Sequence, residues 1–163
     1  AWPMAAWRLI RRWLRQKRGA ATGPNPCDRG KPGSKHLICT DEQGVPVAAP
    51  LNAANVEEGT TLPTLAQPAE AVFATRHKRV VHADKAYDRQ SNRLFCRLHR
   101  LRDAMAQRGK KESALGRKRW VVKRTFAWLK RYRRLAIRHE RRADIHLGLL
   151  LLACALIAAN FCR

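Results

Sequence analysis

Apolar residues recur at helical spacing through residues 116–135, GRKRWVVKRTFAWLKRYRRL. One side of the predicted helix carries Val121, Thr125, Trp128, Tyr132 and Leu135, and its flank carries Val122, Phe126 and Leu129. This i, i+3, i+4, i+7 pattern predicts an amphipathic helix with one face in the core. Trp120 is expected to pack in that core, with a base-stacking platform as the alternative.

Shorter apolar runs predict strands nearer the middle of the chain. Residues 36–40 and 45–51 flank a D-x-x-G turn, which predicts a β-hairpin whose second strand is irregular because of Pro46 and Pro50. Asp41, in that turn, is expected to bond its own backbone. Residues 79–83 predict a buried strand that delivers Asp84 to a sheet edge, although an Asp there could also cap the next helix.

Three further helices are predicted. Residues 60–70 favour a short helix interrupted by Pro, and residues 91–108 favour a second one with Leu94, Leu98, Leu101 and Met105 on one face. Asp103 argues against a strand in this part of the chain. Residues 145–162 form an apolar run that is almost long enough to span a bilayer, which needs about 20 residues. We expect a helix capped by Asp144 and buried against the sheet, with a membrane anchor as the alternative.

Charge narrows the range of partners. The 163 residues contain 34 Lys and Arg against 12 Asp and Glu, a formal net charge of +22. The polar face of the predicted helix at 116–135 is almost wholly cationic, with no acid at i+4 to pair. This balance favours a polyphosphate partner over an acidic surface, with a merely solvated basic face as the alternative. The five Cys contain no C-x-x-C pair, which argues against a zinc site or a disulfide framework.

The same helix carries a resemblance to a known family. Transposases of bacterial insertion sequences, of the DDE type, have an Arg, three residues, a catalytic Glu, six residues and a Lys. Arg119 and Lys130 stand at the Arg and Lys positions of that motif, and Lys123 stands at the Glu position. The phrase WVVKRTFAWLKRYRRLAIRHERRADIH is similar to the family's WVVERTFAWL…RRL…RYERRADIH. In the phrase ADKAYD, Asp84 and Lys85 match the family's A-D-K-G-Y-D.

The resemblance implies an α/β fold with a ribonuclease H-like mixed sheet, flanking helices and long C-terminal helices. It implies that Asp84 is the second catalytic acid and a ligand of Mg²⁺, and that Lys123 replaces the third acid. It also implies that the first acid is missing, because no Asp or Glu precedes Asp28. We therefore expect an incomplete sheet and a catalytically impaired copy.

Residues 1–17, AWPMAAWRLIRRWLRQK, do not resemble the family's first strand. They could form a basic amphipathic helix or lie on a membrane surface, but Trp- and Arg-rich text is typical of GC-rich DNA read out of frame. We interpret residues 1–17 as an atypical, out-of-frame segment and residues 18–163 as a truncated transposase catalytic domain.

The predicted partner is DNA at the ends of an insertion element, together with a second copy of the chain or an active transposase. The residues expected to bind DNA are Arg119, Lys130, Arg124, Arg131, Arg133, Arg134 and Lys85. The expected location is the bacterial cytoplasm, at the nucleoid and not at a membrane. The alternatives are a non-catalytic DNA-binding remnant or regulator and, from another class, a cationic membrane-associated protein.

Overall fold

The computed structural model describes residues 5–16, 18–73, 79–107 and 115–162; within these, the side chains of 5–12, 15, 70, 72–73 and 115–119 are not described. The strands are β1 (Ala5–Arg15), β2 (Gly23–Pro24), β3 (Pro32–Thr40), β4 (Pro46–Ala48), β5 (Leu51–Ala53), β6 (Arg79–His82) and β7 (Arg102–Asp103). The α-helices are α1 (Leu62–Phe73), α2 (Gln90–Leu98), α3 (Leu115–Lys130), α4 (Arg133–Ala136) and α5 (Ala143–Asn160). Single 3₁₀ turns occur at Glu58–Thr60 and Lys85–Tyr87.

The described strands form one mixed sheet in the order β2-β3-β1-β6-β7, with β4 and β5 also on β3. β1 runs antiparallel to β3 and parallel to β6, and β6 runs parallel to β7. The expectation of an incomplete sheet is therefore wrong: residues 5–15 form an internal strand that is hydrogen-bonded on both sides. A helix or a displaced segment there would have left β3 and β6 without their shared neighbour.

Two layers of helices cover the sheet. On one face Leu37 and Cys39 of β3 pack in a cluster with α1 and with Val81 of β6. On the other face Ile38 packs with Phe126 of α3 and with apolar residues of α5. Successive strand residues point to opposite faces, so a strand covered on both faces is buried along its length. Residues 33–40 of β3 are all buried, and they include polar residues such as Lys35 and His36 beside the apolar run 37–39.

The predicted hairpin is confirmed in β3 and β4. The Asp41 carboxylate accepts hydrogen bonds from the backbone N–H groups of Gln43 and Val45, at 2.9 Å each, so its structural role is confirmed as well. Gly44 has a φ of +90°, which favours glycine. The pairing of β4 with β3 is irregular at Thr40 and Pro46, as the prolines predicted.

The predicted helix at 91–108 is too long. It ends at Leu98, and Arg102–Asp103 then forms β7, so the argument from Asp103 against a strand was also wrong. Because the helix ends early, its proposed apolar face does not exist. Leu94 and Leu98 are 55% and 73% exposed, whereas Leu101 and Met105 are buried from the segment that follows.

The two C-terminal helices also differ from prediction. The helix predicted at 116–135 breaks at Arg131 and Tyr132, and a short α4 follows. Arg142, not Asp144, occupies the N-cap of α5; Asp144 lies in the first turn and pairs with Arg142. One face of α5, including Leu150 and Ile157, is buried as predicted. Its other face is exposed, and within the described residues α5 alone is long and apolar enough to cross a membrane.

Candidate functional site

Asp84 lies just beyond the carboxyl end of β6, where the sequence predicted a carboxylate at a sheet edge. Its side chain accepts a hydrogen bond from the backbone N–H of Lys85 at 2.7 Å and caps the 3₁₀ turn Lys85–Tyr87. Asp84 therefore lies at the sheet edge, as predicted, and also caps the following turn, which was the alternative. Asp84 is partly exposed and Lys85 is exposed.

The neighbouring strand contributes no acid beside Asp84. Arg8 of β1 is the partner of His82, so the part of β1 that continues alongside Asp84 is residues 9–12, LIRR. This stretch is where the resemblance implied the first catalytic acid. The strand is present, but it carries two apolar residues and two cations in that place.

Lys123 belongs to helix α3. The helix packs on β1 and β3. It is fixed to the hairpin by the Thr125 hydroxyl, which donates to the Gly44 carbonyl at 2.7 Å. A Cβ on Gly44 would come within 3.0 Å of Val121, so the glycine permits this approach. Lys123 faces solvent on the exposed side of the helix.

Two further carboxylates near this edge belong to a salt-bridge cluster that the sequence did not reveal. Arg93 of α2 donates to Asp88 at 2.6 Å and also contacts Asp103 of β7. The Asp88 hydrogen bond is the main cause that raises the pKa of Arg93. Both acids are thus engaged by one guanidinium, and among the described residues no group of three His, Cys, Asp or Glu could hold a metal ion.

Arg124, which was predicted to bind DNA, also makes contacts within the chain. Its guanidinium lies between the rings of Trp120 and Trp128, 4.7 and 4.8 Å from their centroids. It also donates to the Gln43 carbonyl, so it links α3 to the hairpin turn. Trp120 is 54% exposed, and the expectation that it packs in the core is wrong. The stack of Arg124 on the two rings holds Trp120 on the outer face.

The other predicted DNA-binding residues differ in whether they pair with other residues of the chain. Lys130, Arg131 and Arg133 are exposed at the end of α3 and in α4. Arg134 is also exposed, at 71%, and pairs with Glu140 at 3.0 Å. The Arg119 side chain lies outside the described residues. The cations therefore continue from α3 into α4 on one surface.

A buried polar network that no sequence pattern indicated joins β3 to α5. The ring nitrogens of His36 and His146 are 2.9 Å apart, and Nδ1 of His146 is 3.0 Å from the Glu140 carboxylate. Burial opposes ionisation of Glu140, but hydrogen bonds from His146 and Arg134 lower its pKa to about 2. Burial lowers the pKa of His146, so its ring is neutral. An ionised carboxylate only accepts, which places the His146 proton on Nδ1 and makes His36 the donor to Nε2 of His146.

Arg138 is the second buried element of this region and is 2% exposed. Its guanidinium donates to the Ser34 hydroxyl at 2.5 Å and to the Ala20 carbonyl at 2.7 Å. It also donates to the carbonyls of Ala21 and Glu140. Burial lowers the pKa of Arg138 while the Glu140 carboxylate opposes that shift. Arg138 thus joins β3, the loop after β1 and the segment between α4 and α5.

Comparison with known proteins first identifies the fold. The chain superposes on a chain of the cryo-EM structure of the simian T-cell lymphotropic virus intasome in complex with PP2A regulatory subunit B56 gamma. The TM-score is 0.61 at 15% identity, over 93% of this chain and 47% of that chain. This chain therefore spans about half of that neighbour, and the likeness concerns the fold alone. It is an α/β fold with a mixed sheet between helical layers.

Sequence comparison then identifies the family. Residues 11–158 match the family described as Transposase DDE domain, and the match begins within β1. The chain is 46% identical over 159 residues to a transposase for the insertion sequence element IS402 of Burkholderia cepacia, which covers 94% of this chain and 74% of that protein. The chain belongs to the DDE transposase family of insertion sequences, as the resemblance implied. The out-of-frame origin of residues 1–17 stays a prediction.

Proposed function

We propose that this insertion-sequence transposase retains DNA binding but has lost metal-dependent strand cleavage. The observation that carries the proposal is the residue found at each of the three positions where the resemblance implies an acid. β6 is followed by the Asp84 carboxylate, whereas residues 9–12 of β1 contain no acid and α3 carries Lys123 at the motif's third acidic position. The order of the sheet supports a ribonuclease H-like core as the frame for this site.

The chemistry of the family explains why the loss matters. Phosphoryl transfer by two metal ions needs several carboxylates to hold both ions. Mg²⁺ prefers hard oxygen ligands, which carboxylates supply. The residues present do not fit a pair of Mg²⁺ ions. Asp84 supplies one carboxylate, and Arg93 already binds Asp88 and Asp103. A Lys ammonium at position 123 would repel a divalent cation.

DNA binding needs only the cationic surface. Exposed Lys130, Arg131, Arg133 and Arg134 offer charges along α3 and α4, and a net charge of +22 attracts a polyanion at long range. We infer that the chain acts on DNA in the bacterial cytoplasm. Association with a second copy or with an active transposase would allow it to regulate transposition without cleaving DNA.

Two measurements on one preparation test the proposal. Filter binding of DNA across a salt series should give an affinity that falls steeply with salt, because condensed counterions are released. Incubation with supercoiled DNA and Mg²⁺ should give no nicking by the wild type. The variant Lys123→Glu should not nick either, because β1 still lacks its acid. Nicking by the wild type would refute the loss of cleavage, and absence of salt-dependent binding would refute DNA binding.

One observation favours a second candidate, a cationic membrane-associated protein. The outer face of α5 exposes Leu151, Leu152 and Leu156 at 50%, 58% and 47%. Sedimentation with vesicles that contain anionic lipid distinguishes the two functions. Co-sedimentation that Leu152→Gln abolishes would favour the membrane, whereas a supernatant that binds DNA would favour the proposed function.

A further inference from the structure

A basic cleft lies at the carboxyl end of β1. It has a volume of about 960 Å³. Its lining residues are Gln16, Arg18, Lys31, Pro32, Ile137, Arg138, His139 and Arg141. None of these belongs to the DDE motif or to the seven residues named above as expected to bind DNA. Arg18 and Lys31 do belong to a Gly- and Pro-rich loop whose cations suit contact with a nucleic-acid backbone.

Hydrogen bonds fix the two walls of the cleft to each other. The backbone N–H of Ala20 donates to the Arg141 carbonyl at 3.1 Å. The Gln16 amide donates to the carbonyls of Arg18 and Glu140, at 2.7 and 3.1 Å. The loop after β1 and the segment between α4 and α5 therefore form one surface. Arg18 and Arg141 stand on opposite walls of it.

The cleft is strongly cationic for a physical reason. The buried Arg138 guanidinium at its base donates to neutral oxygens, those of Ser34 and of backbone carbonyls, and the nearby Glu140 carboxylate offsets part of its charge. Arg18 and Arg141 are exposed above it. The one described ion pair of the lining is that of Lys31 with Asp28, at 3.7 Å and near the surface. Such exposed pairs are weak.

A second cleft continues the first. It has a volume of about 720 Å³ and is lined by Arg133, Arg134, Ala136, Ile137 and His139. Ile137 and His139 line both clefts, so they form the ridge between them. The cationic surface of α4 therefore runs over this ridge to Arg141 and Arg18.

We propose that the two clefts form a single track for the phosphodiester backbone of DNA, in which Arg18 and Arg141 contact phosphates beyond those reached from α4. The inference rests on the proposed DNA binding and adds a surface to it. A small free anion fits less well, because the buried donors of Arg138 are already engaged and the remaining cations are solvent-exposed. Exposed cations in series suit a repeating polyanion, whose binding depends on the number of phosphates neutralised.

A matched pair of double variants tests the track. The first is Arg18→Gln with Arg141→Gln. The second, the control, is Arg97→Gln with Arg102→Gln, which removes the same charge from exposed arginines of α2 and β7. Duplex DNA binding is measured against salt concentration for both and for the wild type. Equal urea midpoints for the three proteins show that the side chains tested are not needed for folding.

Each lost phosphate contact lowers the slope of log affinity against log salt by about 0.9. We expect the slope of the cleft variant to fall by about two relative to the wild type, with that of the control within about 0.5. Equal slopes for the two variants, with normal binding by the wild type, would overturn the track alone. A wild type without salt-dependent binding would overturn the track and the proposed function together.

Discussion

The sheet treats charge in opposite ways on the two sides of β1, at the Asp84 end of β6 and at the end of β3 that binds Arg138. Beside Asp84, residues 9–12 of β1 contain no acid, and the carboxylates of Asp84, Asp88 and Asp103 are partly exposed. Around Arg138 and Glu140, ionisable groups are buried and each is bound by several partners. On the proposed function, this chain keeps its buried structural polar groups and lacks most of the acids that cleavage needs.

Physical chemistry explains this contrast. A cluster of carboxylates without its metal is self-repelling, so removing its members need not destabilise the fold. A buried guanidinium or carboxylate is different, because losing one partner leaves the others desolvated and unsatisfied. The proposed loss of cleavage is therefore compatible with a stable fold, whereas loss of the buried polar groups is not.

The largest effect is expected from Arg138→Met. The change leaves the Ser34 hydroxyl and the carbonyls of Ala20 and Ala21 without their buried donor. We expect a loss of about 3 kcal/mol or more in the free energy of unfolding, measured by urea denaturation. Arg133→Met removes an exposed cation and should change it by less than about 0.5 kcal/mol. Similar losses in both variants would show that Arg138 is not a structural centre.

Glu140→Gln should have the next largest effect. The neutral amide lacks the negative charge that strengthens the hydrogen bonds from His146 and Arg134. We therefore expect the free energy of unfolding to fall by about 1–3 kcal/mol near neutral pH. Leu150→Ala in the same core gives a reference for loss of packing without loss of charge. Only Glu140→Gln should change how the free energy of unfolding depends on pH, whereas Leu150→Ala should lower it equally at every pH.

The direction of that pH dependence follows from the pKa of each group. Glu140 has its pKa lowered from 4.5 to about 2, so its contribution is full above about pH 4.5 and is lost as pH falls to about 2. Burial also lowers the pKa of His146 from 6.5. Its ring therefore binds a proton more readily in the unfolded chain, and this uptake favours unfolding as the pH falls. Wild-type stability should therefore fall as pH drops below about 6.5 and again below 4.5. In Glu140→Gln the lower step should disappear; if it persisted, the acid sensitivity would have another source.

How well the sequence predicted each element depended on how local its signals are. The hairpin at Asp41 and the helix at residues 121–129 were predicted because turn chemistry and helical periodicity act over a few residues. β1 was missed because its apolar residues, such as Trp7, Ile10 and Trp13, recur at three-residue intervals that resemble a helix. Pairing with β3 and β6 on both sides decides its conformation.

The candidate site shows the same limit. The position of Asp84 followed from a strand that ends in an acid, but the engagement of two neighbouring acids by Arg93 required the fold. His36 and His146 are 110 residues apart in sequence, and neither has a local pattern that marks a partner. Trp120 was misplaced because periodicity assigns faces without the Arg124 stack that holds the ring outside.

At the Asp84 end, Arg93→Met should have a moderate effect. Asp88 and Asp103 would lose their shared cation and repel each other, but Arg93 is 29% exposed and solvent screens the charges. We expect a loss of about 1 kcal/mol at low salt that shrinks in high salt, measured by urea denaturation at both. A loss that does not depend on salt would mean that the side chain acts by packing instead. Arg97→Met, on the exposed side of the same helix, is the control.

The smallest effect is expected from Asp84→Asn, and it separates the two regions of the sheet most sharply. Asn can also accept the hydrogen bond from Lys85, so the cap survives and the free energy of unfolding should change by less than about 0.5 kcal/mol. A single carboxylate binds Mg²⁺ weakly. At Mg²⁺ concentrations below the Kd the ion stabilises the fold by less than about 0.4 kcal/mol. Urea midpoints with and without Mg²⁺ should therefore agree for the wild type and for Asp84→Asn. A Mg²⁺-dependent rise in the wild-type midpoint that the variant lacks would mean that Asp84 still belongs to a working metal site, and the contrast between the two regions would fail.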